Sequence, residues 1–244
     1  MSFAKDDFTS LYVEPERPER EIAWPALQFT DVFKIYRSGP VETVALRGLA
    51  LRVEHGELVA VLGPSGCGKS TMLALAAALD RPSAGEVRAG ERSLGLLDET
   101  ELADYRARHV ALVFQRDNLF SALTASENVL LSLELAGLAD AEDSAAQALE
   151  AFGLASRMNQ RAGSLSGGEQ QRVAIAAAAA RRAPLVLADE PTGELDAANE
   201  QRVLEALREL RDSFGSTVVA VTHSPRVARA ADRVLEMRDG TALA

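Results

Sequence analysis

Alternation of apolar and polar side chains predicts β-strands in the first part of the folded chain. The alternation begins at Leu27 and continues to Ile35, and Val41–Glu54 contains two further runs of the same kind. A period of two residues is typical of a strand that buries one face. We therefore expect strand structure to dominate residues 27–54.

After residue 56, short apolar runs alternate with longer helical patterns. The predicted strands are Glu57–Leu62, Val110–Phe114, Leu185–Asp189, Thr217–Thr222 and Arg233–Met237. The predicted helices are an Ala/Leu-rich segment ending at Leu79, a segment from the Thr124–Glu127 capping box to about Ala136, and Ala141–Phe152, Gly167–Arg182, Ala198–Phe214 and Pro225–Ala230. Strands that alternate with helices indicate an α/β fold with a mostly parallel sheet. The nearly all-helical stretch 117–163 is predicted to be an insertion in that core.

Composition restricts the class of protein. The chain has 244 residues, of which 47% are hydrophobic and 25% charged, as in a globular protein with a sizeable core. Its longest apolar runs end at Asp80 and Arg181, well short of the roughly 20 residues that a membrane span needs. The first ten residues lack the apolar core of a secretory signal. We therefore expect a cytoplasmic protein.

The charge balance and the cysteine content exclude further classes. The formal net charge is −10, which gives no general attraction to nucleic acid or anionic lipid. We expect no nucleic-acid partner and no direct lipid anchor, so attachment to a membrane would require a protein partner. The lone Cys67 excludes an intrachain disulfide, and the scattered histidines suggest no metal cluster.

Residues 1–26 differ in composition from the rest of the chain. They carry six acidic and three basic side chains, three prolines and no lasting periodicity. We predict a flexible acidic tail there, with a partner-binding strap as the alternative. Residues 27–244 then form one domain, with a helical subdomain over about 117–163.

A glycine-rich segment between a predicted strand and a predicted helix matches the phosphate-binding pattern G-x-x-x-x-G-K-[ST]. Backbone N–H groups in such a loop surround phosphate oxygens, and the following helix N-terminus adds partial positive charge. Lys69 would reach the β- and γ-phosphates, and the Ser70 hydroxyl would ligate Mg²⁺. The predicted nucleotide-binding residues here are Gly63, Pro64, Ser65, Gly66, Cys67, Gly68, Lys69, Ser70 and Thr71. We expect Cys67 to be a small residue that fills space in the loop, rather than one with a redox role.

Two acids end the apolar strand Leu185–Asp189. Ligand sites of parallel sheets lie at the carboxyl ends of the strands, so both acids would point toward the phosphate loop. Asp189 suits the Mg²⁺ shell, and Glu190 suits a general base that polarises the attacking water.

The string Leu165-Ser-Gly-Gly-Glu-Gln-Gln-Arg172 identifies a family. Ser166 followed by two glycines indicates a helix N-terminus with little side-chain bulk, a second phosphate receptor. The string resembles the signature motif of the ATP-binding-cassette (ABC) ATPases, and the resemblance covers roughly residues 27–240. It implies a P-loop NTPase core with an antiparallel N-terminal β subdomain and a helical insertion. ATP and Mg²⁺ are the implied cofactors.

The same resemblance assigns further residues. Gln115 corresponds to the glutamine that approaches Mg²⁺ and the attacking water, and His223 to the histidine that contacts the γ-phosphate. Tyr36 corresponds to the aromatic residue that stacks on adenine, although a core tyrosine is the competing interpretation. The signature residues Ser166, Gly167, Gly168 and Glu169, together with Asp196, would serve the ATP of a second copy of the chain.

Several strings resemble one branch of the family, which works with lipoprotein-release, macrolide-efflux and cell-division permeases. They are Tyr36–Gly48, Val113–Leu119, Leu123–Val129 and Ala188–Gly193. Departures are Glu194, where asparagine is usual, Ala177, where many relatives carry arginine, and the acidic tail. The resemblance implies an ATP-hydrolysing subunit of a bacterial ABC transporter or mechanotransmission complex, in which ATP-driven dimerisation is coupled to an integral permease. That permease would hold the chain at the inner face of the membrane. A non-transport ABC ATPase, such as an iron–sulfur assembly factor, is the alternative.

Overall fold

The computed structural model describes residues 24–138 and 141–243. The expected tail 1–26 therefore lies almost wholly outside the described residues. Two sheets and a set of helices make up the described part. The strands are β1 (Leu27–Ser38), β2 (Val41–Val53), β3 (Leu58–Leu62), β4 (Ala84–Ala89), β5 (Arg92–Ser93), β6 (Val110–Val113), β7 (Leu185–Asp189), β8 (Thr217–Thr222), β9 (Arg233–Arg238) and β10 (Thr241–Leu243). The helices are α1 (Lys69–Ala76), α2 (Glu99–Arg108), α3 (Ala125–Leu135), α4 (Ala141–Ala151), α5 (Gly167–Ala180), α6 (Ala197–Asp212) and α7 (Pro225–Ala230).

The larger sheet has six strands and is mostly parallel. Its order is β10-β9-β3-β8-β7-β6, and every pair is parallel except β10 with β9. Strands β3, β7 and β8 are buried almost throughout, which is why they read as continuous apolar runs in the sequence. The α/β fold with a mostly parallel sheet is thereby confirmed.

The smaller sheet has the order β2-β1-β4-β5 and is antiparallel, as the family resemblance implied. The expectation of two separate runs in residues 41–54 was wrong. Val41–Val53 is one continuous strand, because register shifts against β1 absorb the breaks in its alternation.

Two apolar cores lie on opposite faces of the larger sheet. Alternate side chains of β3 belong to different cores. Leu58 and Ala60 pack with the helices α3–α7, whereas Val59 and Val61 pack with α1, α2 and the smaller sheet. Helix α5 crosses the first core, and its residues from Val173 to Ala179 are all buried. The small alanine side chains allow α5 to pack closely against α3, α4 and α6.

The elements β4, β5 and α2 were not predicted, and α1 is shorter than the helix that was expected to end at Leu79. Helix α1 ends at Ala76, and Ala78 takes a left-handed conformation with φ of 53°. Helix α2 is amphipathic only weakly, but Asp98 and Glu101 form a full capping box at its start. That capping pattern was the available signal for α2.

Candidate functional site

The carboxyl ends of four neighbouring parallel strands bring the predicted catalytic groups to one edge. Strand β3 leads into the phosphate loop, β6 into Gln115, β7 into Asp189 and Glu190, and β8 into His223. The strand register fixes their relative heights, since Leu62 pairs with Thr222 and Asp189 with Val221. The sequence-based expectation of a shared edge is matched by this arrangement.

The backbone of the phosphate loop requires glycine where it turns. Gly66 and Gly68 have φ of 80° and 102°, and a Cβ on Gly68 would lie 2.6 Å from the Ala45 carbonyl oxygen. Lys69 curls over the loop, with Nζ donating to the carbonyl oxygens of Gly63 at 2.6 Å and Pro64 at 3.0 Å. Its ammonium group is therefore held against the loop.

Cys67 lies beneath the loop. Its side chain is buried, its carbonyl accepts a 3.1 Å hydrogen bond from the Gly240 amide, and its amide donates to Pro64. A Cβ on Gly63 would approach both the Met237 carbonyl and the Cys67 sulfur within 3 Å. The cysteine thus fills space beneath the loop and ties the loop to the β9–β10 hairpin.

Ser70 and Asp189 form a pair of oxygens suited to a magnesium ion. The Ser70 hydroxyl donates to Asp189 Oδ2 at 3.1 Å. Burial, with the charge of Glu190 as a smaller cause, raises the pKa of Asp189, so a cation would relieve an unfavourable charge there. Within residues 24–138 and 141–243 no cluster of three His, Cys, Asp or Glu side chains could hold a metal by itself. Mg²⁺ is usually bound by one or two protein oxygens, with substrate phosphates and water completing its coordination shell. The Ser70–Asp189 pair fits this kind of site better than that of a structural metal.

The Glu190 carboxylate is held from three directions. Its oxygens lie 2.9 Å from His223 Nδ1, 3.1 Å from the Thr222 hydroxyl and 3.3 Å from the His223 amide. The Glu190 backbone has φ of 47° and donates its N–H to the Val221 carbonyl at 2.9 Å. A strained but hydrogen-bonded backbone and three side-chain contacts together orient this carboxylate. Thr222, which is fully buried, was missed by the sequence analysis because a threonine ending a strand carries no signal.

Gln115 lies against the turn that follows Glu190. A Cβ on Gly193 would be 2.7 Å from Gln115 Nε2, so the glycine makes room for this side chain. The Gly193 amide in turn donates to the Glu190 carbonyl at 2.9 Å. The structure therefore brings Gln115 and Glu190 to one side of the site.

A buried amide network anchors the segment that carries Gln115. Gln171, on helix α5, donates to the Phe114 carbonyl at 2.7 Å and accepts from Asn118 at 2.9 Å. Asn118 also bonds both the N–H and the carbonyl of Phe114. Gln171 is only 4% exposed, so these bonds tie α5 firmly to the end of β6. The sequence analysis did not identify this network, although Gln171 belongs to the signature string.

The signature residues begin α5. Ser166 is the N-cap, and its side chain and Glu169 form a capping box. Glu169 Oε2 accepts from the Ser166 amide and hydroxyl, while Oε1 accepts from Arg157 Nε at 2.7 Å. The Arg157 guanidinium, followed by the Ser166 amide, lowers the pKa of Glu169 to about 2. Both carboxylate oxygens of Glu169 are thus engaged within the chain.

Asp196 lies close to the signature helix but not to the phosphate loop. It caps α6 by accepting from the amides of Ala198 and Asn199, and Asn199 packs against Gly168, where a Cβ would meet it at 2.6 Å. Among the hydrogen bonds of the described residues, none joins Ser166, Gly167, Gly168, Glu169 or Asp196 to the phosphate loop. The structure gathers these residues into a second group, separate from the first.

Tyr36 is on β1 and is 41% exposed, so it is not the core tyrosine that the competing interpretation required. Its hydroxyl donates to Asp80 at 3.1 Å, and Lys34 Nζ lies 4.9 Å from the ring centroid. An accessible ring beside a cation is available for stacking, but no hydrogen bond of the described residues links it to the phosphate loop.

In the described part of the chain, no helix combines the length and the apolar character that crossing a bilayer requires.

Comparison with known proteins agrees with this geometry. The profile of the ABC transporter family matches residues 46–193. The lipoprotein-releasing system ATP-binding protein LolD of Anaeromyxobacter dehalogenans is 44% identical over 226 residues, covering 91% of this chain and 95% of that protein. The macrolide export ATP-binding/permease protein MacB of Hyphomonas neptunium is 44% identical over 218 residues. The match covers 88% of this chain but only 34% of that protein, so the chain spans about a third of the MacB length.

A solved structure extends the similarity to the whole fold. The ATP-binding cassette MJ0796 of Methanocaldococcus jannaschii, in a dimeric post-hydrolysis state bound to ADP and Pi, superposes with a TM-score of 0.81 at 38% identity. The match covers 89% of this chain and 97% of that one. With its phosphate loop, its paired acids and its signature helix, the chain belongs to the ABC transporter family and is an ATP-binding ATPase.

Proposed function

We propose that this chain hydrolyses MgATP with the residues gathered at the carboxyl edge of the larger sheet. The observation that carries the proposal is the 3.1 Å contact between Ser70, at the end of the phosphate loop, and Asp189, at the end of β7. Lys69 and the loop amides would bind the β- and γ-phosphates. Ser70, Asp189 and Gln115 would hold Mg²⁺, which supplies neutralisation of the phosphate charge.

Glu190 is the proposed general base. Its carboxylate would accept a hydrogen bond from the attacking water, and its 2.9 Å contact with His223 would keep it pointed at the γ-phosphate position. Thr222 would add a second hold on the same carboxylate. Gln115, kept near Glu190 by the Gly193 turn, would help to orient the water.

The working unit is proposed to be a dimer of this chain. The residues Ser166–Glu169 and Asp196 form a group apart from the chain's own phosphate loop, and an uncovered helix N-terminus is an anion receptor. Ser166 and the two glycines would bind the γ-phosphate of the partner's ATP, and Asp196 would cross between the copies. Glu169 would act by keeping Ser166 capped, because its oxygens are already engaged. The dimeric state named for MJ0796 supports this assembly.

An integral membrane permease is the proposed second partner. A cleft of about 300 Å³ lies beside the Gln115 segment, lined by residues that include Leu119, Phe120, Leu135 and Ala177. Phe120 is 64% exposed and Leu135 70% exposed, so apolar surface is available to a docking helix. The names of LolD and MacB support a transport role over an iron–sulfur assembly role. The chain would then act at the inner face of the membrane through the permease, without contacting lipid or nucleic acid.

The variant Glu190→Gln tests the catalytic part of the proposal. It should bind MgATP but turn over at least about a hundredfold more slowly, because the water loses its orienting base while the phosphate loop is unchanged. The variant should also accumulate as an ATP-dependent dimer on size exclusion. Turnover and nucleotide affinity are measured on the full chain.

Glu194→Asn is not a suitable control, because Glu194 pairs with Arg116 and follows Gly193, which packs against Gln115. Glu200→Gln is better, since it changes an acid on α6 that contacts Ser224 and Arg226. Near-normal turnover in Glu190→Gln would remove Glu190 from the catalytic role. An unchanged monomer in the presence of ATP would argue against the proposed dimer.

The variant Phe120→Asp tests the permease surface. We expect loss of co-purification with the permease from detergent-solubilised membranes, with ATP binding and the melting temperature retained. Leu96→Asp is the matched control, because Leu96 is 85% exposed and does not line the cleft. Permease binding by Phe120→Asp at the wild-type level would place the docking surface elsewhere.

A further inference from the structure

Glu194 forms an ion pair with Arg116. Arg116 Nε donates to Glu194 Oε2 at 2.6 Å, and the terminal guanidinium nitrogen contacts the same oxygen. Each partner is the immediate neighbour of a residue at the proposed site: Arg116 follows Gln115, and Glu194 follows Gly193. The pair therefore bridges the two segments whose backbones bring Gln115 to the Glu190 turn.

The backbone at Glu194 is strained. Its φ is 69°, in the left-handed region that glycine and asparagine adopt readily and glutamate does not. A longer acidic side chain in this position carries a backbone cost of its own. In this conformation the Glu194 side chain contacts Arg116.

The ion pair is also the only side-chain hydrogen bond, among the described residues, that joins residues 115–117 to the turn 191–194. On its other side the Gln115 segment is anchored to α5 by Gln171 and Asn118. A cavity of about 260 Å³ opens beside the two segments, and Gln115, Arg116, Pro191, Glu194 and Leu195 contribute to its lining. Gln115 touches the turn at Gly193, and the ion pair is the side-chain link that adds to this contact.

We propose that Arg116 and Glu194 are positioning residues for ATP hydrolysis. Their pair reinforces the contact of Gln115 with the turn that follows Glu190, and so the geometry in which the attacking water is held. The inference rests on the proposed roles of Gln115 and Glu190. Neither Arg116 nor Glu194 contacts the phosphate loop, so the pair acts on turnover and not on the binding of ATP.

The size of the effect follows from exposure. The side chains of Arg116 and Glu194 are 68% and 50% exposed, and exposed ion pairs contribute modestly and are screened by salt. Breaking the pair should lower kcat by about twofold to fivefold. KM for ATP should stay at the wild-type value.

A double-mutant cycle on kcat tests the proposal. The variants are Arg116→Ala, Glu194→Asn and the double variant, where asparagine keeps a residue that tolerates the left-handed backbone. We expect each single variant to lose about twofold to fivefold in kcat and the double variant to lose no more than the worse single one. Arg116→Lys should recover part of the loss, because it restores the charge without the guanidinium geometry.

Salt provides a readout that a purely structural role would not give. Raising the ionic strength should bring the wild-type kcat toward that of Glu194→Asn, so the ratio of the two should approach one. Glu54→Ala is the matched control: it breaks the exposed Arg52–Glu54 pair at the end of β2 and should leave kcat and its salt response unchanged.

Independent, multiplicative losses in the double variant would overturn the proposal, as would wild-type kcat in both single variants or a change confined to KM. Glu190→Gln, measured alongside, separates this outcome from failure of the proposed function. If Glu190→Gln is inactive while the cycle is multiplicative, only the role of the ion pair is wrong. If Glu190→Gln remains active, the catalytic assignment itself is wrong.

Discussion

The ion pair between Arg157 and Glu169 stabilises the start of α5, the helix that begins with the signature residues. The variant Glu169→Gln removes the negative charge of this pair. The pKa of Glu169 falls from the ordinary value of 4.5 to about 2, first because of the Arg157 guanidinium and then because of the Ser166 amide. At about 1.4 kcal/mol per pKa unit, this difference sets an upper bound of about 3 kcal/mol. The Glu169 and Arg157 side chains are 20% and 41% exposed, so solvent screening reduces the expected loss to about 1–2 kcal/mol.

The sign of the pH dependence is fixed by the direction of the pKa change. Because folding lowers the pKa of Glu169, its stabilising contribution is fully present above about pH 4.5 and is lost as the pH falls toward about 2. Glutamine does not titrate. The difference in the free energy of unfolding between wild type and Glu169→Gln should therefore be constant from pH 7 to about pH 5 and shrink below it.

Urea unfolding followed by circular dichroism measures this difference, at pH 7.5, 5.0 and 4.0. Glu127→Gln is a matched control, because Glu127 closes the equivalent capping box of α3 with Thr124 but has no arginine hydrogen bond. It should destabilise the chain less than Glu169→Gln does. Equal losses in the two variants, or a loss at Glu169 that grows as the pH falls, would refute the role assigned to Arg157.

Two further predictions concern the nucleotide. Tyr36→Ala should raise KM for ATP about twofold to tenfold through loss of ring stacking, whereas Tyr36→Phe should keep a KM near the wild-type value. An equal rise of KM in both variants would assign the role to the hydrogen bond with Asp80 instead. Gly68→Ala should weaken ATP binding at least about tenfold in a fluorescent-nucleotide titration, because its Cβ would meet the Ala45 carbonyl at a positive φ. Gly95→Ala, where a Cβ meets nothing within 4 Å, should bind normally, and normal binding by Gly68→Ala would show that the loop does not need this conformation.

Local patterns were sufficient for the parts of the fold that carry the strongest chemistry. The buried strand Leu58–Leu62 has a continuous apolar run and is followed by a glycine-rich loop, so both its structure and its edge of the sheet could be predicted. The capping box at Thr124 and the serine with two glycines at Ser166 marked the starts of α3 and α5 in the same way. In each case the signal lies within a few residues of the element that it predicts.

Features that depend on contacts between distant segments could not be predicted. The single strand Val41–Val53 owes its continuity to register shifts against β1, which a local alternation pattern does not contain. Two hydrogen bonds of the site join residues more than thirty positions apart: Thr222 donates to Glu190, and Gln171 donates to Phe114. A glutamine or a threonine at such a position is chemically ordinary until the fold supplies its partner.

The amide network around Gln171 has a consequence for how this protein can change over evolution. Asn118, which follows β6, donates a 2.9 Å hydrogen bond to Gln171 on α5. The same set of hydrogen bonds therefore joins the segment where the chain leaves β6 to the helix on which it returns. Strands β6 and β7 on either side are adjacent, with Val113 paired to Ala188. These hydrogen bonds hold the segment after β6 independently of the side chains on the exposed surface of α3 and α4, so substitutions on that surface can accumulate while the reacting edge keeps its geometry.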